Sequence, residues 1–481
     1  MSAPSPSRAG ADILELGLVD LAARIRTGEI SSLAATEAVL TALDTDGRAL
    51  NAVVRLWRER ALEAADLADR DRRQGRIRGP LHGVPLAHKD MFYRAGELAE
   101  CGSVILRGHR PLVTSTVLER LDAAGALDIG RLNMVEFALG VTGHNPHTGH
   151  PKNAWNPARI TGGSTSGGAA AVAARLVAAT LGSDTGGSLR IPAAFGGLVG
   201  IKPTYGRVSR AGAMPLSFSL DHVGPLARAT EDCALVLRII AGRDPRDPTT
   251  SARPVPDYGA GLGAGIENLR VAVVEDCFED VVAEEVASAF GEAMRSLREL
   301  GARIEPRSVP HFRPLNALRR VVMLGDAAAY HAGFVAARRG DYAPQTLARL
   351  EPGFALSATD HLRAVSARGP LLETFCLEAF AHADVLALPT SPVPAPGIAE
   401  TDTGGDARFV EIANVIGGLV GPFNYLGLPA ISVPMGLDAN GVPMGLQLVA
   451  RPFAEALLFR VAHAFERATG WSRQRPRVAH G

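Results

Sequence analysis

Two short segments rich in glycine and serine carry the residue types best suited to catalysis. The first reads GGSTSGG over residues 162–168, and the second reads DTGGS over residues 184–188. Glycine permits strained backbone dihedral angles and a close approach of the backbone to a ligand. A run rich in Ala, Val and Leu separates the two segments, which is not typical of flexible linkers. We therefore expect two loops that meet over one site.

A serine hydroxyl becomes an effective nucleophile only when a base removes its proton. The sequence has neither a GxSxG elbow nor a serine three residues before a lysine, the signatures of two other classes of serine enzyme. Lys89 follows an apolar stretch after a Gly/Pro turn, where burial would lower its pKa enough for it to act as the base. Successive backbone N–H groups from Thr185 to Ser188 would form a nest for an oxyanion.

The charge of the chain argues against a nucleic-acid-binding protein. Its 481 residues include 50 basic and 50 acidic side chains, so the formal net charge is zero. Only three of the basic residues are lysines, Lys89, Lys152 and Lys202. Arginine cannot act as a neutral amine, so a lysine retained beside the two serine segments is informative.

Neither the cysteines nor the histidines predict a metal or cofactor site. The four cysteines are scattered, without a CxxC pair, which argues against a disulfide scaffold and a structural zinc site. His144, His147 and His150 are spaced by three, but their Gly/Pro-rich setting is a loop and does not align them on a helix. We expect no metal and no cofactor.

The N-terminus and the hydropathy pattern predict a cytoplasmic location. MSAPSPSRAG is polar and lacks an apolar core, so it reads as a disordered tail and not as a signal peptide. No apolar run reaches the ~18 residues needed to span a membrane. Helical and strand patterns alternate along the rest of the chain, which predicts an α/β protein with a largely parallel or mixed sheet.

Long motifs in the chain resemble those of the amidase signature family. They are GVPLAHKD around Lys89, GGSTSGG around Ser164 and GSDTGGSLRIPAAFGGLVGIKPTYGRVSRAG around Ser188. The spacing of 24 residues between the two serines is that of the family, and the similarity covers nearly the whole chain beyond about residue 14. The resemblance implies a large twisted mixed β-sheet flanked by α-helices on both faces.

The domain organisation that we expect follows from the same motifs. Residues 1–12 form a disordered tail, and residues 13–481 form a single amidase domain. The signature core covers residues 76–240, approximately. A helical and loop region of about residues 244–370 is inserted before the C-terminal part of the core.

The resemblance also implies a Ser–cis-Ser–Lys triad. Ser188 would be the nucleophile, Ser164 would follow a cis peptide bond at Gly163 and relay the proton, and Lys89 would be the neutral base. Acylation would release the amine, and water would then hydrolyse the acyl-enzyme. The oxyanion hole would consist of the backbone nitrogens of Thr185, Gly186, Gly187 and Ser188.

Several neighbouring residues have a structural interpretation. The commoner family segment reads GGSSGG, but here Thr165 and Ser166 follow Ser164, and we expect Ser166 to be a hydrogen-bonding loop serine. Arg190 is expected to brace the nucleophile loop, and Asp184 to shape it. The candidates for substrate binding are His144, Asn145 and Gly417, and His88 beside Lys89 is expected to pack.

Three functions compete. The favoured one is a serine amidohydrolase, acting on linear amides and not on peptide bonds, that converts a small carboxylic amide, urea or carbamate to an acid plus ammonia or an amine. The second is the glutaminase subunit of a tRNA-dependent amidotransferase. The resemblance implies that this subunit binds the glutamine ammonium with an aspartate, and the equivalent position here is Gly417. The third is a non-catalytic binding protein. The expected partner is a small-molecule amide. We expect no binding to nucleic acid or to a membrane, and a homodimer is compatible with the sequence.

Overall fold

The structure, a computed structural model, describes residues 8–278, 282–309 and 312–476. Its first element is the helix Arg8–Glu15, which begins within the segment expected to be a disordered tail. The helix forms because Ile13 and Leu14 pack against the core. Residues 1–7 of the expected tail lie outside the described residues.

Most α-helices in the described part of the chain are short and lie between strands. In chain order they are α1 (Arg8–Glu15), α2 (Leu18–Thr27), α3 (Ser32–Ala42), α4 (Arg58–Arg73), α5 (Thr116–Ala123), α6 (Ser166–Ala173), α7 (Arg190–Gly196), α8 (Thr230–Ile240), α9 (Glu284–Glu299), α10 (Phe312–Arg338), α11 (Pro344–Leu350), α12 (Ala358–Ser366), α13 (Arg368–Ala379), α14 (Ile398–Thr401), α15 (Ala407–Ile416), α16 (Gly421–Tyr425) and α17 (Glu455–Thr469).

The strands form two sheets. In chain order they are β1 (Val53–Leu56), β2 (Pro85–Lys89), β3 (Leu127–Leu132), β4 (Ala179–Asp184), β5 (Val199–Lys202), β6 (His222–Ala227), β7 (Arg270–Val274), β8 (Arg303–Arg307), β9 (Val385–Pro389), β10 (Ala430–Leu437) and β11 (Pro443–Val449). The large sheet has eight strands in the order β4-β6-β5-β10-β11-β9-β7-β8.

The large sheet is mixed and lies at the centre of the core. Neighbouring strands from β4 to β9 are antiparallel, whereas β9, β7 and β8 pair in parallel. Helices α7, α8, α9 and α17 pack against it. Strands β5, β9 and β11 are buried along their whole length, in keeping with their mainly apolar sequences. The expected α/β class with a large mixed sheet flanked by helices is confirmed.

Two features differ from the expected organisation. The region of about residues 244–370 is not only helix and loop, because β7 and β8 within it extend the large sheet beyond β9. A second sheet of three strands, in the order β1-β3-β2, was not expected as a separate unit. Strand β2 pairs in parallel with β3 and ends at Lys89, so this small sheet positions the lysine.

The two glycine and serine segments lie at the ends of buried elements. The first leads into helix α6, and the second connects β4 to α7. Both helices and the strand are buried throughout. The loops between them are therefore held by packed elements on each side and bring residues 162–168 and 184–188 together.

Candidate active site

Lys89 is a fully buried cation surrounded by hydroxyl groups. Its Nζ donates hydrogen bonds to the Oγ of Ser164 at 2.7 Å and the Oγ of Ser183 at 2.9 Å, with Thr165 Oγ1 at 3.4 Å. Lys89 forms no ion pair with a carboxylate of the described residues. A buried ammonium without such a partner is costly, which favours loss of its proton.

The electrostatic surroundings suit Lys89 to the role of a base. Burial lowers the pKa of Lys89 from 10.5 to about 7, although the carboxylates of Asp221 and Asp184 oppose the shift. A group whose pKa is near the working pH is the most efficient general base. Near neutral pH a large fraction of the lysine is therefore the free amine that proton removal from a serine requires.

Ser164 and Ser188 are adjacent, as the motif predicts. The backbone N–H of Ser164 donates to the Oγ of Ser188 at 3.0 Å, while the Oγ of Ser164 accepts from Lys89. Ser188 is 6% exposed and Ser164 is fully buried. Ser164 therefore lies between Ser188 and the lysine, in contact with Ser188 through its backbone N–H and with Lys89 through its hydroxyl.

The Gly163–Ser164 peptide bond is trans in this structure, which corrects the expected cis bond. The chain turns here because Gly162 and Gly163 adopt φ angles of +74° and +61°. Only glycine takes these left-handed angles without a steric cost. A Cβ on Gly163 would also lie 2.6 Å from the ring of Pro192, so the loop depends on the absence of a side chain.

The loop after β4 presents three free backbone donors beside Ser188. The N–H groups of Thr185, Gly186 and Ser188 have no acceptor within the described residues, so they can bind an oxyanion. The fourth expected donor, Gly187, is a correction. Its N–H donates to the Asp184 carboxylate at 2.7 Å and is not available.

A buried ion pair supports this loop from below, which agrees with the bracing role expected of Arg190. Its guanidinium binds both oxygens of Asp184, at 2.9 and 3.0 Å, and both side chains are fully buried. Gln447 and Asn424 accept its other N–H groups at 2.6 Å each. Burial would raise the pKa of Asp184, but Arg190 outweighs that effect and holds it well below its usual range.

Asp221 is a second acid that contacts the loop of residues 184–188 (the oxyanion loop), and sequence reasoning missed it. It accepts a 2.5 Å hydrogen bond from the Oγ1 of Thr185 and two more from the backbone of Leu216 and Ser217. Burial raises its pKa to about 6, although these hydrogen bonds oppose the shift. Asp221 therefore links the oxyanion loop to residues 216–217 through an ionisable group.

A cavity opens above Ser188. Its wall comprises the oxyanion loop, residues 138–141 and parts of α10, α11 and α15. Gly417, one of the three expected substrate contacts, lies in this wall, as do the arginines Arg319 and Arg349. The wall therefore brings two guanidinium groups and the loop of residues 184–188 to the same cavity.

The other expected substrate contacts do not lie in the cavity wall. His144 is within hydrogen-bond distance of Thr401 Oγ1, at 2.6 Å, and the side chain of Asn145 donates to the carbonyls of Gly102 and Met134. Both are buried and hold the loop in place. His147 contacts Glu136, and His150 contacts Asp402. The described residues include no group of three or more potential ligands that could hold a metal ion.

Two minor expectations concern residues close to the triad. His88 packs as expected, because its Nδ1 accepts from the backbone of Leu181 and burial lowers its pKa to about 3. Ser166 is not the hydrogen-bonding serine that the sequence suggested. Its Oγ is buried at the start of α6 without a hydrogen-bond partner among the described residues.

Sequence reasoning also missed Ser183 and the two cavity arginines. Ser183 had a usable signal, because it lies near the end of a buried strand and immediately precedes the DTGGS segment. Arg319 lies 131 residues after Ser188 in a long helix. Nothing in its local sequence separates it from the many other arginines of the chain.

Comparison with known proteins gives matches over almost the whole chain. The amidase family model matches residues 34–459. A glutamyl-tRNA(Gln) amidotransferase subunit from Chloroflexus aurantiacus (strain ATCC 29366 / DSM 635 / J-10-fl) is 39% identical over 479 residues, which cover 95% of this chain and 97% of that protein.

Solved structures share the fold. A chain from a vestigial protein complex that reveals the evolutionary origins of an s-triazine catabolic enzyme has a TM-score of 0.88 and 33% identity, covering 95% of this chain and 99% of that one. The native peptide amidase from Stenotrophomonas maltophilia has a TM-score of 0.83 and 31% identity, covering 97% and 99%. In the described part of this chain, no helix combines the length and the apolar character that crossing a membrane requires.

Proposed function

The chain belongs to the amidase family, and on that basis we propose that it hydrolyses an amide through an acyl-enzyme formed on Ser188. The single observation that carries the proposal is the environment of Lys89. Its Nζ is fully buried and bonded to serine hydroxyls, without a carboxylate partner in the described chain. An arrangement of this kind serves proton transfer better than it serves stability.

In the proposed reaction a proton moves from Ser188 to Lys89 during the attack and returns to the leaving amine afterwards. The Oγ of Ser188 attacks the amide carbonyl carbon, and its proton passes through the Oγ of Ser164 to the free amine of Lys89. The N–H groups of Thr185, Gly186 and Ser188 bind the oxyanion of the tetrahedral intermediate. The proton then returns through Ser164 to the leaving amine as the C–N bond breaks, and water hydrolyses the ester by the same route.

The test is a set of serine variants in the same two loops. Ser188→Ala should lower kcat by at least about 10⁴-fold and abolish labelling by a fluorophosphonate, because the attacking oxygen is gone. Ser166→Ala is the matched control, since its Oγ is buried without a partner among the described residues and should be dispensable. Full turnover or unchanged labelling in Ser188→Ala would reject the mechanism, and loss of labelling there would exclude a non-catalytic binding protein.

Lys89→Arg tests the base separately from the nucleophile. Arginine retains the positive charge but does not release its proton near neutral pH, so turnover should fall nearly as far as in Ser188→Ala. Circular dichroism and thermal unfolding would show whether the variant is folded. Retained turnover in a folded Lys89→Arg protein would mean that another group removes the proton.

The substrate that we propose is a small linear carboxylic amide, or an amide-like urea or carbamate, converted to an acid plus ammonia or an amine. The second candidate is the glutaminase subunit of a tRNA-dependent amidotransferase. The 39% identity to an amidotransferase subunit supports that candidate more than it supports a freestanding hydrolase. The glycine at position 417, where the glutaminase is expected to carry an aspartate, is the observation against it.

Purification decides between the two candidates. A freestanding hydrolase turns over amides as an isolated chain. An amidotransferase subunit copurifies with a second protein and shows glutaminase activity only in that complex. Measuring ammonia release from a panel of amides, ureas and glutamine, with and without copurifying chains, separates these outcomes.

A further inference from the structure

Arg319 is a buried guanidinium in the wall of the cavity above Ser188, and it has no acidic partner among the described residues. It is 7% exposed, and its Nε donates to the Oδ1 of Asn316 at 3.1 Å. Its Nη1 lies 3.4 Å from the sulfur of Met323, a weak acceptor. Neither Arg319 nor Arg349, the second arginine of the wall, forms an ion pair with any carboxylate of the described residues.

A buried arginine without a counter-ion is unusual because removing the charge from water is costly unless an anion compensates for it. Burial, together with the charges of Arg349 and Arg320, lowers the pKa of Arg319 to about 9. The carboxylate of Asp184 acts in the opposite direction, but it is already bonded on both oxygens by Arg190. The Nε of Arg349 is also buried, without a hydrogen-bond partner in the described chain.

Arg319 is close to the reacting atoms. A Cβ built on Gly186 would lie 2.7 Å from its Nη1, so the guanidinium packs directly on the oxyanion loop. Gly186 supplies one of the three free N–H groups, and Ser188 lines the same cavity. An anion held by Arg319 would therefore lie within a few bonds of the scissile carbonyl.

We propose that this cavity selects amides that carry a carboxylate near the scissile carbonyl and no ammonium group, such as the monoamides of short dicarboxylic acids. Arg319, with Arg349, would hold the carboxylate, which the planar guanidinium fork fits with two hydrogen bonds. The residues of the cavity wall include no aspartate or glutamate to pair with an ammonium. The inference rests on the proposed amide hydrolysis and specifies its substrate class.

Glutamine is the informative counterexample. It carries a carboxylate but also an ammonium, which would lose its hydration beside two arginines without gaining a partner. Glutaramate has the carboxylate and amide of glutamine without the amino group. The structure therefore predicts that glutaramate or a shorter monoamide is a better substrate than glutamine.

The experiment compares matched substrates on the purified protein. The anionic series is malonamate, succinamate and glutaramate, and the neutral series of the same lengths is propionamide, butyramide and valeramide. The best anionic amide should exceed its neutral partner in kcat/KM by roughly 100-fold, because a buried charge left unpaired penalises the neutral analogue. Equal values, or a preference for glutamine over glutaramate, would overturn the inference.

Arg319→Met should remove most of this preference, so that the ratio of kcat/KM between the anionic and neutral amides falls toward one. Arg319→Lys keeps the charge and should keep part of the ratio. Arg320→Met is the matched control: it removes the neighbouring charge of the same helix from outside the cavity wall and should keep the full ratio. A ratio unchanged in Arg319→Met would assign the arginine a purely structural role.

A binding measurement keeps the inference separate from the proposed function. Calorimetry of succinamate with Ser188→Ala should show binding that the further change Arg319→Met abolishes, because this measurement needs no turnover. If no amide is hydrolysed and Ser188 is not labelled, the proposed function fails, and the calorimetry still decides whether the carboxylate site exists. If neutral amides are hydrolysed best, the function stands and the carboxylate site is rejected.

Discussion

The loop that carries Ser188 has an arginine on each side. One of them is paired with a buried carboxylate, and the other has no carboxylate partner in the described part of the chain. Below the loop, Arg190 is fully buried, and its guanidinium donates to Asp184, Gln447, Asn424 and the backbone carbonyl of Val420. On the cavity side, Arg319 is almost as buried but meets no acid in the described part of the chain. A satisfied ion pair fixes a conformation, whereas an unpaired charge is available to a ligand. We therefore infer that the Arg190 face of the loop serves stability and that the Arg319 face serves substrate recognition.

The largest expected effect on stability comes from removing the Arg190 side of the buried ion pair with Asp184. Arg190→Met leaves the Asp184 carboxylate buried without its counter-ion, which should cost about 3–5 kcal/mol of unfolding free energy. Arg319→Met, in contrast, removes a buried charge that no described carboxylate pairs and should leave the stability unchanged or higher. Urea unfolding of both variants beside the parent measures the difference. A loss of similar size in both would show that the two arginines play the same structural role.

The sequence indicated the residues in the glycine- and serine-rich motifs far better than the arginines of the cavity wall. Ser188, Ser164, Lys89 and Arg190 all lie in or beside long motifs, so the sequence alone singles them out, and their proposed roles follow from the resemblance. Local sequence also indicates a strand such as β9, because its residues form a continuous apolar run.

The remaining features depend on tertiary structure. Whether Arg319 has a partner is decided by which side chains α10 meets, and no local pattern records that. The trans geometry at Gly163 and the engagement of the Gly187 N–H by Asp184 are likewise properties of the packed loop. The separate three-stranded sheet arises because β1 pairs with β3, more than 70 residues later, through backbone hydrogen bonds that carry no sequence signature.

The second prediction concerns the pH dependence of turnover and the hydroxyl cluster around Lys89. The pKa of Lys89 is about 7, so kcat/KM should rise with pH to a midpoint near 7, with a loss of roughly tenfold for each pH unit below it. The sign follows from the role: the protonated lysine, which dominates at low pH, cannot accept a proton. A pH profile of kcat/KM for one amide that stays neutral from pH 5 to 9 measures it.

Asp221 sharpens this prediction. Its pKa is about 6, so its protonation should steepen the profile below pH 6 by weakening the hydrogen bonds that hold Thr185 and residues 216–217. Its negative charge also raises the pKa of Lys89. Asp221→Asn should therefore move the midpoint to lower pH and remove the extra steepness. A midpoint that stays fixed or rises would mean that Asp221 does not act on the lysine.

The smallest effect separates two neighbouring glycines of the same loop. Gly187 has a φ of +114°, and a Cβ there would lie 2.5 Å from the Cγ2 of Val420, which is fully buried. Gly187→Ala should therefore cost about 1–3 kcal/mol, because both the backbone and the packed core resist it. At Gly186 the obstacle is the end of the Arg319 side chain, which can move, so Gly186→Ala should cost less stability.

The two glycine variants should also differ in specificity. A methyl group at Gly186 displaces Arg319 and should lower the preference for anionic amides, whereas Gly187→Ala acts from the packed side and should change stability more than that preference. Thermal unfolding and the ratio of kcat/KM for anionic and neutral amides, measured on both proteins, test the assignment. If Gly186→Ala lost stability while keeping the ratio, the cavity face would be the structural one, because its arginine would then fix the loop without contributing to recognition.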